Sequence, residues 1–361
     1  MSAGAEMEER EAFDAAEGGA GPRVAVFRAD RLGDVVLSTP VAELLKTGLG
    51  ARVTFVVREY ARPVLDGNPF IDQVLTVDGL ACRELAGRIR GQDASIALYA
   101  SREAVWAPWL AGIPLRVGPL SRLRDLLFNR RFRQHRSACA AHEAEYNMDL
   151  ARRGFGLKGS AWPRIFLSGK EEDWAAEYLK ARHGLEAGQP FVLLHPGSGG
   201  SSKDLPLDKY RRIAEKLAGA GVSFLVSGNA EELAKYREEA VFKSGLMKEA
   251  LPLRRFLALI SRAGLLAGNS SGPLHCAAAL DIPTVSFYPP LRVCSVRRWG
   301  PFSASPEKHL VFSPDGPVCD KCPPSCRLYP CMESLDAEKI FAGICGMLNG
   351  GSALAPPLKA G

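Results

Sequence analysis

The sequence predicts an α/β protein made of two doubly wound domains, and three observations carry the prediction. Apolar runs that read as buried parallel strands alternate with helical spacings along most of the 361 residues. The alternation pauses once, after Gly154-Phe155-Gly156, and restarts at Phe191. In both halves a strand ends in a small polar turn that runs into a helix, a junction where free amides and the helix dipole gather anions.

In the first half, Val24 to Phe27 reads as a strand and Asp30-Arg31-Leu32-Gly33-Asp34 as the polar turn after it. Helical spacing follows from Val35 to Lys46, with Pro40 tolerated near the first turn. Arg52 to Val57, Gln73 to Val77 and Ala94 to Tyr99 read as further strands, with helical stretches between several of them. Trp162 to Ser168 and a helix from Glu171 to Arg182 form a connector. In the second half, strands at 191–194, 222–227, 264–267 and 284–288 alternate with helices at 208–219, 231–243, 252–262 and 272–280. The expected organisation is an acidic disordered tail (1–22), a first Rossmann-like domain (23–168), a second (169–349) and a flexible end (350–361).

Composition fits a soluble globular chain, with 47% hydrophobic and 24% charged residues and no run of the roughly 20 apolar residues that span a bilayer. Residues 1–22 hold six acidic side chains against Arg10, so removing that −5 from the overall +6 leaves a body of +11 that favours anionic partners. This segment lacks the apolar core of a signal peptide, which leads us to expect a cytoplasmic protein whose nine cysteines are thiols or metal ligands.

Five motifs carry the chemistry. Asp34, beside Gly33 at the end of the first strand, reads either as a helix cap or as a general base in the cleft. His195 to Lys203 supplies three glycines, three serines and a lysine after a strand, either a phosphate loop or a solvated one; it lacks the Gly-Lys-Ser/Thr ending of a Walker loop. Gly268 to Ala279 places Ser270, Ser271, Gly272 and Pro273 at the start of an alanine-rich helix, an anion turn in which His275 is either a packing residue or a ligand contact. The stretch from Arg116 to Arg136, with Arg130, Arg131 and Arg133 among its arginines, reads as a surface for an anionic membrane or acidic groups, or as a solvated loop. No stacking platform or nucleic-acid motif accompanies this charge, so no nucleic-acid partner is expected. Finally Cys319, Cys322, Cys326 and Cys331 suit a structural zinc, an iron–sulfur cluster or unliganded thiols.

Taken in order, Arg28 through Leu32-Gly33-Asp34 and Thr39-Pro40, then His195-Pro196-Gly197-Ser198 with Lys203 and Pro206, then Asn269 through His275, resemble the lipopolysaccharide heptosyltransferases, the ninth glycosyltransferase family. The resemblance implies a GT-B fold and an inverting transfer of heptose from ADP-heptose to a lipopolysaccharide-core or similar anionic glycolipid, peripheral to the inner face of the inner membrane, with no cofactor required for catalysis. It implies that Asp34 is the catalytic base and that Lys203 meets the donor phosphates. Ser198 and Gly199 match the phosphate loop, and Ser270, Ser271, Gly272 and His275 fall in the nucleotide-sugar turn. Arg31, with Arg130, Arg131 and Arg133, is expected on the acceptor side. Two departures stand out: the family usually carries an acid where this chain has Ser270, and a tryptophan where it has Leu205. The alternatives are a GT-B transferase using another nucleotide sugar and a non-catalytic nucleotide-sugar-binding protein of envelope assembly. The retained Asp34 favours an enzyme.

Overall fold

The computed structural model describes residues 21–322 and 331–350. The strands are β1 (Arg23–Phe27), β2 (Arg52–Val57), β3 (Gln73–Thr76), β4 (Ala94–Ala97), β5 (Leu115–Pro119), β6 (Arg130–Phe132), β7 (Val192–His195), β8 (Phe224–Val226), β9 (Leu265–Asn269), β10 (Thr284–Phe287) and β11 (His309–Phe312). The helices are α1 (Leu32–Val36), α2 (Thr39–Leu49), α3 (Cys82–Arg88), α4 (Arg102–Leu110), α5 (Glu143–Phe155), α6 (Gly169–His183), α7 (Leu207–Gly219), α8 (Ala230–Tyr236), α9 (Leu253–Ile260), α10 (Gly272–Ala279), α11 (Val296–Trp299) and α12 (Ala337–Leu348).

The strands form two wholly parallel sheets, ordered β3-β2-β1-β4-β5-β6 and β11-β10-β9-β7-β8. Val24 to Phe27, Val192 to His195 and Leu265 to Asn269 are buried along their whole length, as strands covered on both faces must be. Each order reverses once, between β1 and β4 in the first sheet and between β7 and β9 in the second. Ligands bind beyond the carboxyl ends of strands at such reversals, because the crossover helices leave to opposite faces and open a crevice. The turns after β1, β7 and β9 are therefore placed to make a site.

The helix expected from Val35 to Lys46 is two helices. Ser38 donates its hydroxyl to the Asp34 carbonyl at 2.7 Å and Thr39 donates to the Val36 carbonyl at 2.9 Å, closing α1 early. Pro40 then stands in the first turn of α2, where a missing N–H costs nothing. Strand β11 and helix α12 went unread because the Pro-rich and Cys-rich stretch between them hides their pattern. The basic stretch is a 3-10 helix (Leu123–Leu127), then β6, then a second 3-10 turn at 136–138. The expected tails at 1–20 and 351–361 lie outside the described residues. No described helix is long and apolar enough to cross a membrane.

The halves meet where α1 packs on α10. A Cβ on Gly33 would stand 2.6 Å from His275 Cδ2, and one on Gly272 would stand 2.9 Å from Leu32 Cδ2. Both glycines are thus required by the close approach of two helix starts.

Candidate active site

Two cavities open beside this contact. The first, of about 860 Å³, is lined by the turns after β1, β7 and β9: Arg31, Leu32, Gly33 and Asp34; His195, Ser198, Gly199 and Ser201; Ser270, Ser271, Gly272, Pro273 and His275. The second, of about 720 Å³, is lined by Arg28, Asp30, Tyr99, Arg122, Arg133, His135, Arg136, Glu143 and Arg298 among others. Arg31, Asp34 and Trp299 line both, so Asp34 stands at the junction.

Arg28, on the chain just past β1, is 2% exposed and holds the carboxylates in place. Its guanidinium donates to Asp30 at 2.8 Å, to Glu143 at 3.0 Å and to Asn147 at 3.1 Å, and it pairs with Asp34. Burial alone would lower its pKa, but Asp30, Asp34 and Glu143 outweigh that and raise it, so Arg28 is a permanent cation. Burial pushes the Asp34 carboxyl up to about 6; Arg28 opposes the rise, while Asp30 and Glu143 add to it. A carboxylate poised near neutrality is suited to take a proton, because its basicity is raised while it stays ionised at pH 7.

Glu143 opens α5 and is 1% exposed. Burial works against its charge, but three guanidiniums, Arg28, Arg136 and Arg298, hold its pKa below the usual range. Arg298 reaches it from the other half of the molecule at 3.1 Å. Beside it the His142 ring accepts from the Ala144 amide through Nδ1 at 3.1 Å, so Nε2 carries the proton given to the Gly300 carbonyl at 3.0 Å. Burial pushes His142 down to about 4, consistent with that neutral tautomer. The carboxylate network beneath Asp34 therefore also fastens the two halves together.

Behind the cavity lining, the buried Asn269 joins the turns after β7 and β9, accepting from the Leu205 amide at 2.9 Å and donating to the Pro196 carbonyl at 2.5 Å. Ser201 donates to the Ser270 carbonyl at 2.8 Å. The Ser271 hydroxyl and His275 Nδ1 are buried without a hydrogen-bond partner, and both residues line the cavity. Burial, with His142 adding to it, pushes His275 down to about 3, so it stands neutral at pH 7. Unsatisfied buried groups beside a helix start are what an anionic ligand would complete.

Ser198, Gly199, Ser270, Ser271, Gly272 and His275 thus gather with Asp34 as the sequence led us to expect. Lys203 does not line the cavity: its ammonium lies 3.9 Å from Glu333, across from the cysteine segment. Arg31 and Arg133 line the second cavity, whereas Arg130 and Arg131 turn to the backbone, donating to the Gly154 carbonyl at 2.9 Å and the Phe128 carbonyl at 3.0 Å. Alternation along β6 sets Arg130 on the face opposite Arg131 and Arg133, and the Phe128 carbonyl draws Arg131 away from the cavity that Arg133 lines. The cavity instead takes Arg122, Arg136 and Arg298. Cys326 lies outside the described residues. Of its expected partners, Cys322 is exposed and Cys331 is buried on the Lys203 side, and among the described residues no three His, Cys, Asp or Glu side chains are arranged for a metal. The zinc reading has no support there.

The sequence reading also missed Asn229 and Glu232, which line the first cavity. The Glu232 carboxylate accepts from the Asn229 amide at 2.8 Å while Asn229 caps Glu232 at 2.9 Å. A Cβ on Gly197 would meet that carboxylate at 2.0 Å, so the loop lies directly against it and a larger residue would displace the Glu232 side chain. The Asn-x-x-Glu spacing straight after β8 was the available signal.

The family model for glycosyltransferase family 9 (heptosyltransferase) matches residues 82–314. The chain belongs to glycosyltransferase family 9. It is 28% identical over 309 residues to a protein of Haemophilus influenzae described as a glycosyltransferase, covering 81% of this chain and 89% of that one. It is 23% identical over 293 residues to lipopolysaccharide heptosyltransferase 2 of Salmonella typhimurium, covering 74% and 83%. The structure of ADP-heptose lipopolysaccharide heptosyltransferase II from E. coli superposes with a TM-score of 0.75 at 20% identity, covering 91% of this chain and 99% of that one. The two facing doubly wound sheets are accordingly a GT-B fold, and this family 9 chain is a glycosyltransferase; the non-catalytic alternative is set aside.

Proposed function

We propose that the protein moves a sugar, heptose from ADP-heptose, onto an anionic glycolipid of the lipopolysaccharide-core type, with inversion at the anomeric carbon. The observation that carries this reading is the position of Asp34 between a cavity with unsatisfied anion-binding groups and a cavity rich in arginine. A nucleotide sugar fits the first, with its diphosphate against the start of α10, Ser271 and His275. An acceptor bearing phosphate or carboxylate fits the second, against Arg31, Arg122, Arg133 and Arg136. The relatives named for lipopolysaccharide heptosyltransferase support the same donor and acceptor.

In the reaction the acceptor hydroxyl forms a bond to the anomeric carbon as the carbon–oxygen bond to the diphosphate breaks. Asp34 takes the hydroxyl proton, and the nucleoside diphosphate leaves with the bonding pair. Free amides of the turns and the positive end of α10 meet the charge that grows on the diphosphate. The acceptor would reach the site from a membrane surface, with the enzyme held peripherally.

Ser270 favours keeping a second donor in view. Its side chain is neutral and engages the Tyr288 hydroxyl, leaving no carboxylate there for a sugar hydroxyl. A panel of nucleotide sugars scored by thermal unfolding separates the two: the true donor at 100 times its Kd should stabilise by about 2.7 kcal/mol. Stabilisation by a UDP-sugar and none by ADP-heptose would overturn the heptose reading.

Lys203 belongs to this proposal as a rim residue. Its separation from Glu333 is long for an ion pair and both side chains are partly exposed, so that contact is weak, and turning to a diphosphate would exchange it and the Cys331 hydrogen bond for a stronger charged partner. Lys203→Ala is expected to weaken ADP by about tenfold, in line with about 1.5 kcal/mol for a charge-assisted contact, with a smaller loss for adenosine. Equal ADP affinity in calorimetry would take Lys203 out of the site.

A further inference from the structure

Of the ten strongly exposed large apolar side chains among the described residues, six fall between residues 99 and 126. Single exposed apolar residues are ordinary, but this concentration is not. Helix α4 buries Ala104, Val105, Ala107 and Pro108 and turns Arg102, Trp106 and Trp109 outward, one helical face at spacings of four and three. On a face turned to water that spacing should read polar. Here Trp106 is 39% and Trp109 46% exposed, with the two indoles packed edge to face at 5.8 Å.

The 3-10 helix Leu123–Leu127 packs beside α4, and Arg124 fixes it there by donating to the Ala100 carbonyl. It adds Leu123, 83% exposed, and Leu126, 51% exposed. The acid of this turn, Asp125, is fully buried, accepting from the amides of Ser121 and Arg122 at 2.8 and 2.7 Å. Its outward charge is therefore basic, from Arg122, with exposed Arg131 and Arg133 nearby in the chain and Arg102 on α4. Tyr99 and Arg122 belong both to this surface and to the lining of the second cavity. The apolar patch thus borders the mouth through which an acceptor must come.

We propose that the outward face of α4 and the Leu123–Leu127 turn dock on an anionic phospholipid bilayer. Indole rings and leucines enter the interfacial layer, where amphipathic rings are stable, and the arginines meet lipid phosphates. Docked this way, the cavity mouth faces the lipid surface, so a headgroup carried by a lipid reaches Asp34 without its tails leaving the bilayer. The inference rests on the reading of a lipid-borne acceptor and names the surface that serves it.

The full chain can be tested with vesicles of phosphatidylethanolamine and phosphatidylglycerol, in parallel with ADP calorimetry. Wild type should bind these vesicles more weakly as salt rises, because exposed charges are screened over about 8 Å at physiological ionic strength. Lipids brominated in the acyl chains should quench its tryptophan fluorescence. Trp106→Ser with Trp109→Ser should lose that quenching and weaken binding by roughly tenfold or more, the scale of losing two partly buried indoles. Leu123→Ser with Leu126→Ser should weaken binding in the same direction. Both variants should keep wild-type ADP affinity, since none of these side chains lines either cavity beside Asp34. Vesicle binding unchanged in both variants, or no quenching in wild type, would overturn the proposal. A concentration-dependent dimer abolished by the tryptophan variant would also overturn it, by showing that a second copy covers the patch. Failure of wild type to bind ADP would instead count against the transferase reading, which this design keeps separate from docking.

Discussion

Asp34→Asn is expected to lower kcat by about 10²–10⁴-fold, the scale of one general base, while leaving ADP affinity within about twofold. The base acts as the hydroxyl proton departs, so its loss falls on the transition state and spares ground-state binding. Asparagine keeps the size of the side chain and its place beside Arg28. The pH profile gives a second readout. Burial raises Asp34 to about 6 and only the ionised form accepts a proton, so wild-type kcat/KM should fall as pH drops through about 6. A variant that keeps more than half the wild-type rate, or a wild-type rate flat from pH 5 to 8, would remove Asp34 from that role.

Glu143→Gln should cost stability and move the acid limb. Glu143 is the shared partner of Arg28, Arg136 and Arg298, and its side chain is 1% exposed. Removing its charge leaves three guanidiniums with Asp30 and Asp34, and breaking a buried ion pair from one side costs about 3–5 kcal/mol. Its charge also raises the Asp34 pKa, so the variant should ionise Asp34 more readily. The acid limb of kcat/KM is then expected to shift to lower pH. Thermal unfolding and a pH–rate series measure the two effects. A purely structural role would lower the melting temperature and leave the limb in place, whereas wild-type values of both would show that Glu143 does not tune the site.

Much of the first cavity was legible because its parts are local. A strand that is apolar throughout, followed by Gly, Ser or Asp and then by helical spacing, reports its own junction, and Asp34, Ser198, Gly199, Ser271, Gly272 and His275 each sit in one. The second cavity was only half legible. Arginines at 130, 131 and 133 look alike in sequence, and what separates them is which way each points along a short strand and which carbonyl lies within reach. Arg136 and Arg298 lie 162 residues apart in the chain yet meet on one carboxylate. No spacing announces that.

The sequence by itself determined two parallel α/β sheets, the polar strand-to-helix turns that line the first cavity and the identity of the acid at the first of them. Those features depend on side-chain period and on glycine, both fixed by a few neighbouring residues. Tertiary structure alone decided that the Asp34 carboxyl is buried and raised to about 6, and that Lys203 rests beside Glu333. It also decided that α4 shows its tryptophans to the outside. Charge states and exposure depend on what surrounds a group at a few ångströms, and in this fold those surroundings come from segments far apart in the chain.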